Sequence, residues 1–190
     1  MKTGLGIHQK LRKSYAYCNL IRFTIRKKLL GFDVANQFLQ RVDKISMQLI
    51  LKNNGATIGN NCDIETGLIF HNCKDYCNLI VGNNCHIGKN CFFDLREKVI
   101  IGNNVVISMQ CSFITHIDMS KSTLKENYKA TQKPIYINDN CYLGVGVRLL
   151  LGVRLLESVF VAANALIIKN VESHTMVGGV PAKIIKKLSE

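Results

Sequence analysis

From Ile58 onward a large apolar residue returns every six positions, usually followed by Gly or another small residue. The clearest copies are Ile58-Gly59-Asn60-Asn61-Cys62, Val81-Gly82-Asn83-Asn84-Cys85, Ile87-Gly88-Lys89-Asn90-Cys91 and Ile101-Gly102-Asn103-Asn104-Val105. Ile64, Phe70, Phe93, Ile107 and Phe113 occupy the intervening steps, and Ile137, Leu143, Leu149, Leu155, Val161 and Ile167 continue the pattern without a slip. A period of six fits neither an α-helix at about 3.6 nor an alternating strand at 2, but it suits a short strand followed by a corner. The apolar residue then points inward. A small residue four positions on fills the space beside it, which gives Cys62, Cys85, Cys91, Cys111 and Cys141 a packing role. The Gly and Asn-Asn steps supply residues that adopt left-handed backbone angles at little cost, as tight corners require.

Three such faces make a coil of 18 residues, so Ile137/Leu155, Leu143/Val161 and Leu149/Ile167 should stack. The separation grows to 20 between Val81 and Ile101, which predicts a two-residue bulge near Leu95–Lys98, and to 23 between Ile58 and Val81, which predicts a small loop around Cys73–Cys77. Between Phe113 and Ile137 it is 24, read as six residues beyond a plain repeat that project outward. Departures from a repeat are where such proteins usually carry their chemistry.

Charge is distributed unevenly. Of 25 Lys and Arg and 13 Asp and Glu in the 190 residues, eleven basic and two acidic ones lie in Met1–Thr57. The basic, partly amphipathic stretch Lys10–Leu30 could touch an anionic membrane surface or an acidic polymer. A solvated helix face packed on its own domain or a neighbouring subunit is the plainer reading. The stretch lacks regularly interleaved aromatic platforms, apart from Tyr15 and Tyr17, so nucleic acid is not the expected partner. No apolar run approaches 18 residues and Met1–Leu20 has no apolar h-region, so a cytoplasmic protein, peripheral to a membrane at most, is expected. The eight cysteines do not read as a secreted disulfide framework. A zinc site built on His71, Cys73 and Cys77 would lack the usual ligand spacing, and no metal is expected.

The repeats, together with Phe93-Asp94-Leu95-Arg96, Phe113-Ile114-Thr115-His116 and the ending Val177-Gly178-Gly179-Val180-Pro181-Ala182-Lys183-Ile184-Ile185, resemble the hexapeptide-repeat acyltransferases. The likeness spans roughly residues 52–188 and is strongest to the sugar and polysaccharide O-acetyltransferases, including the maltose and galactoside enzymes. It implies an all-β repeat fold, a left-handed parallel β-helix with a short N-terminal helical segment and a short C-terminal helix. The expected division is a basic helical segment at 1–51, the β-helix at 52–180 with a protruding loop at 117–134, and a C-terminal tail or helix at 181–190. The left-handed turn is a departure from the usual right-handed crossover.

The resemblance implies transfer of acetyl from acetyl-CoA to a hydroxyl of a small-molecule or glycan acceptor, in a homotrimer whose active sites lie between subunits. His116, at the mouth of the protruding loop, matches the family's base, and neutral imidazole suits that task near neutral pH. If Phe93 lies under Phe113, then Asp94 lies about one coil below His116 and could orient the ring or hold a sugar hydroxyl; a corner salt bridge is the structural alternative. Arg96 could meet an acidic acceptor, Asp118 is a second possible partner, and Asn90 a weaker one. On the donor side the resemblance points to Tyr142, Gly144, Ala163, Lys169, Lys183 and Lys186 for coenzyme A, with Tyr142 standing where relatives often have Trp.

Three other readings remain open at the level of sequence. A serine acetyltransferase-like arrangement would make His71 the base. A zinc-dependent γ-carbonic anhydrase-like enzyme would use His71, His86 and His116, although no His pair has the usual five-residue separation. A non-enzymatic sugar-nucleotide-binding protein would use the scaffold without the chemistry.

Overall fold

The computed structural model describes residues 4–189; Met1–Thr3 and Glu190, parts of the expected terminal segments, lie outside them. The six-residue register folds into a left-handed parallel β-helix with three flat faces, a sheet of five strands, one of seven and one of five. Ile58, Val81, Ile101, Ile137 and Leu155 stack on the first face. Ile64, Ile87, Ile107, Leu143, Val161 and Val177 stack on the second. Phe70, Phe93, Phe113, Leu149 and Ile167 stack on the third. All sixteen are buried. On the third face Phe70, Phe93 and Phe113 form an offset ring stack with centroids 5.6 and 4.7 Å apart.

Corners follow the same register. The third residue past the inward one has positive φ at Asn61, Gly67, Asn84, Asn90, Asn104, Gln110, Asn140, Gly146, Gly152, Ser158 and Asn164. Asn is favoured there because it tolerates the left-handed region and its amide can bond its counterpart one coil away. Asn61, Asn84, Asn104 and Asn140 form such a ladder, each Nδ2 donating to the next Oδ1 at 3.0 to 3.2 Å, and Asn140 ends it on Glu157 Oε1. Of the five repeat cysteines, Cys85, Cys91, Cys111 and Cys141 are fully buried, each with its thiol donating to a carbonyl of the next coil, while Cys62 is half-buried at the first coil.

An open first coil would expose unpaired strand groups, and three helices cover it. Helix α1 is Gly4–Leu30, α2 is Phe32–Leu39 and α3 is Lys44–Asn53. Gly31, at φ +88°, breaks the chain between α1 and α2, and the Asp43 carboxylate caps α3 by accepting from the Ile45 and Ser46 amides. Two acceptors on the first coil are met by side-chain amides: Gln48 Nε2 donates to Cys62 O, and Asn36 Nδ2 to Phe70 O. Phe23, Met47, Ile50 and Leu51 join the β-helix interior as one continuous core.

Two expectations are corrected. Ile137 lies directly over Ile101, 36 residues earlier, so a whole coil's length of chain leaves the prism after Phe113, not six residues. The excursion opens as a short hairpin, His116–Ile117 against Thr131–Gln132, and its tip is exposed. The C-terminal segment is no helix: Lys183–Lys187 is a strand antiparallel to Thr175–Gly178. A helix that short is marginal in water, whereas a strand satisfies the backbone groups that Thr175–Gly178 would leave open at the edge.

The close spacing of coils yields a stability test. A Cβ on Gly82 would lie 2.5 Å from Gly102 O and 2.8 Å from Asn103 Oδ1. Since the first of these is backbone, Gly82→Ala should cost about 1–3 kcal/mol. Thermal unfolding followed by circular dichroism should show a fall in midpoint of several degrees; an unchanged midpoint would mean that neighbouring coils can move apart there.

Candidate active site

The bulge after Phe93 and the excursion after Phe113 leave the prism at the same edge, one coil apart, and the chemistry gathers there. Asp94 ends the strand Phe92–Asp94 and is 1% exposed. Its Oδ2 accepts from the Thr115 amide at 2.9 Å, lies 2.8 Å from the Thr115 hydroxyl, and meets His116 Nδ1 at 2.5 Å. Its Oδ1 accepts from Asn72 Nδ2 at 3.2 Å and the Arg96 amide at 3.4 Å. Burial alone would push the Asp94 carboxyl up, but the donors from His116, Thr115 and Asn72 outweigh it and hold the group below the usual carboxylate range. An ionised Asp94 can only accept, so the ring nitrogen facing it, Nδ1, is the donor, and in a neutral imidazole Nε2 then carries the lone pair. Beside Nε2 stands the Asn72 amide nitrogen, at 3.4 Å.

Asn72 and Arg96, which flank this pair, line a cleft of about 770 Å³ walled on its far side by α2 through Asp33, Asn36, Gln37 and Gln40. Helix α2 is held by Asn36, which donates to Phe70 O and accepts from the buried Tyr76 hydroxyl at 3.1 Å. Burial pushes the Tyr76 hydroxyl's pKa up, so it stays a neutral donor. Amides, a carboxylate and two cations suit a polyhydroxylated ligand, since such groups donate and accept at several angles. Cys73 also lines the cleft, but burial pushes its thiol up to about 12. At neutral pH it is no thiolate nucleophile.

The residues singled out from sequence divide clearly. His116, Asp94 and Arg96 come together, and Asp118 joins them only through Arg96, whose Nη1 lies 3.3 Å from its carboxylate. The corner salt bridge held open as the alternative for Asp94 and Arg96 forms for Arg96 alone, with Asp118, while Asp94 is turned to His116. Asn90 is a corner residue on another edge, beside Gly67. Gly144 and Ala163 sit on successive coils at that other edge, so close that a Cβ on Gly144 would lie 2.7 Å from Ala163 N. Tyr142 stacks on Phe160 at 4.7 Å. Lys169 and Lys183 line a second, more apolar cleft of about 480 Å³ with Pro181 and Ala182 at the far end of the prism, while Lys186 pairs with Met176 in the C-terminal hairpin. Within one chain, therefore, Gly144 and Ala163 lie on a different edge from His116.

Sequence reasoning missed Asn72, Thr115 and the α2 wall. Asn72 was within reach: once Phe70 stacks under Phe93, His71 pairs with Asp94 and Asn72 follows. His71 itself packs its ring against Phe92 at 5.9 Å and lines the cleft. His86 pairs with Asp63 and His116 with Asp94. Among the described residues no three His, Cys, Asp or Glu side chains are grouped as metal ligands, so neither zinc arrangement has its donors assembled.

With this geometry in place, comparison with known proteins is informative. The family model for the hexapeptide repeat of succinyl-transferase matches residues 78–109. The chain is 23% identical to a galactoside O-acetyltransferase of Escherichia coli over 172 residues, covering 87% of this chain and 79% of the relative. Among solved structures, a hexapeptide-repeat-containing acetyltransferase from Vibrio cholerae superposes with a TM-score of 0.71 at 22% identity, covering 95% of this chain and 93% of the other. That enzyme has also been solved with acetyl coenzyme A, and superposes in that state with a TM-score of 0.65 at 20% identity over 93% of this chain and 89% of the other. A maltose O-acetyltransferase from Clostridium difficile gives 0.70 at 22% identity over 90% and 89% of the two chains.

The depressed Asp94 carboxyl has a consequence for stability. A group whose folded pKa lies below its unfolded value stabilises the fold above the unfolded pKa, about 3.9, and loses that contribution as pH falls through the folded value. Melting curves from about pH 6 down to pH 2 should therefore fall more steeply for the native protein than for Asp94→Asn. Parallel curves would show that Asp94 titrates alike in both states.

Proposed function

We propose that this chain, a member of the hexapeptide-repeat acyltransferase superfamily on the branch of the galactoside and maltose O-acetyltransferases, transfers acetyl from acetyl-CoA to a hydroxyl of a sugar or polysaccharide precursor. The observation that carries the reading is the buried Asp94 holding His116 in one tautomer beside a polar cleft. The acceptor lies in that cleft with the reacting hydroxyl in front of Nε2, displacing the Asn72 amide from that nitrogen and remaining within its reach. Its oxygen attacks the thioester carbonyl carbon as its proton passes to Nε2. The imidazolium so formed is stabilised by Asp94, which keeps its negative charge. Collapse of the tetrahedral intermediate breaks the C–S bond, and the coenzyme A sulfur leaves with the proton from Nε2. Direct transfer is favoured over an acyl-enzyme because the thiol in the cleft, Cys73, is held protonated.

The donor reading rests on acetyl coenzyme A in the Vibrio cholerae relative, with the edge of closely stacked small residues at Gly144 and Ala163 as the wall along which a pantetheine arm would lie. Lys169, Lys183 and Lys186 supply positive charge near the coenzyme's phosphates, and Tyr142 flanks the groove. Because Gly144 and Ala163 stand on a different edge from His116, the reading requires that one chain's His116 face the groove edge of its neighbour, as in a homotrimer. Arg96 and Lys74, at the cleft, favour an acceptor with an acidic group, and Asp118 steadies Arg96.

Thiol release from acetyl-CoA, measured with a panel of neutral and acidic sugar acceptors, tests this directly. His116→Ala should lower kcat about 10²–10⁴-fold, and undiminished turnover would remove His116 from the mechanism. Asn72→Ala should raise KM for the acceptor more than for acetyl-CoA. Absence of acceptor-dependent release with every sugar, together with tight sugar-nucleotide binding, would favour the non-enzymatic reading.

A further inference from the structure

Helix α1 is built with two apolar faces, only one of which packs against other described residues. Ala16, Asn19 and Phe23 are buried against the rest of the helical cap: Asn19 donates to Ser46, the Phe23 ring meets Phe32 and Tyr76, and Lys27 reaches Asn54. At about 100° per residue, the opposite side carries Ile7, Leu11, Cys18, Ile21, Ile25 and Leu29, with Ser14 between Leu11 and Cys18. All six are exposed, the five aliphatic ones by 50 to 76%. The stripe runs about 33 Å along the axis at 1.5 Å per residue. Lone exposed apolar residues are ordinary, but a row of this length, interrupted at Ser14, marks an interaction surface.

Charge indicates what that surface meets. Helix α1 contains seven Lys and Arg and no Asp or Glu. Lys10 and Lys28 border the stripe on one side with Tyr17, and Arg22 borders it on the other with Tyr15. Both tyrosines are more than half exposed. A long apolar row between basic margins, with aromatic rings carrying polar tips along its edges, is the surface chemistry of a helix lying at a lipid interface. Packing against α1 of a second copy would oppose two helices of seven positive charges each, with no carboxylate on either to offset them. Nucleic acid would engage the basic residues and leave the apolar row uncovered. The helix is not built to cross a bilayer: no described helix is long and apolar enough.

We propose that α1 docks this protein onto an anionic lipid surface, the Ile7–Leu29 stripe entering the interface and the flanking Lys and Arg engaging acidic headgroups. The site of the reaction does not enter this inference, and its readout is independent of catalysis. Full-length protein would be floated with phosphatidylcholine vesicles that contain or lack phosphatidylglycerol. Binding should appear only with the anionic lipid and fall at least about tenfold as salt is raised from about 0.1 to 0.5 M. Ile21→Glu/Ile25→Glu, at two exposed positions, should abolish flotation while circular dichroism and the sedimentation coefficient stay unchanged. A double Lys10→Gln/Lys28→Gln variant should weaken flotation without abolishing it. No flotation with anionic vesicles at low salt would overturn the proposal. So would flotation indifferent to the glutamates, or tight binding to duplex DNA that survives them. Loss of the native oligomer in the glutamate variant without any vesicle binding would assign the stripe to a second copy instead.

Discussion

Every part of this molecule depends on each coil ending directly above the point where it began. Backbone groups on the three faces find their partners one coil away, and the corner residues turn the chain through left-handed angles without losing that register. At Asn61, Asn84, Asn104 and Asn140 the cost of the angle is offset by the ladder they form. The glycines at positions such as Gly59, Gly82 and Gly102 serve the same end by a different means: a Cβ would meet the next coil.

That rigidity is what holds the Asp94–His116 pair in place on such short strands. Asp94 and His116 are 22 residues apart in the chain but only one coil apart in space. Both stand where an irregular segment leaves the edge, so their backbones are fixed on one side by the stack and free on the other to present side chains. Thr115 is the residue that fixes Asp94, through both its amide and its hydroxyl. Buried and fully bonded, the carboxylate has no alternative rotamer without orphaning a donor.

The helical cap serves two surfaces of opposite character. Inward, α2 and α3 cover the first coil, meet two of its carbonyls with side-chain amides, and give the cleft its polar wall. Outward, α1 turns an apolar row and a concentrated positive charge away from the prism. A polar cleft wall and an exposed apolar row with basic margins are thus carried by one compact appendage, joined to the β-helix through Asn36, Tyr76 and the shared apolar core.

The sequence by itself determined the coil, the stacking partners, the corner chemistry and the placing of Asp94 beneath His116, because each follows from a period that adjacent residues carry. The inward row and its intervals were enough to put Asp94 one coil below His116. Tertiary structure alone decided the rest. Asn72 reaches His116 across 44 residues and Asn36 reaches Phe70 across 34, and no repeat specifies where a loop or a helix outside the register will land. The excursion after Phe113 was legible as the loop at 117–134, and only its excess over the repeat was undercounted: one step is six residues, so an interval of 24 leaves 18, a full coil, outside the prism. At the C-terminus, Lys183–Lys187 became a strand because Thr175–Gly178 offered backbone partners there, an edge that exists only once the coils are stacked.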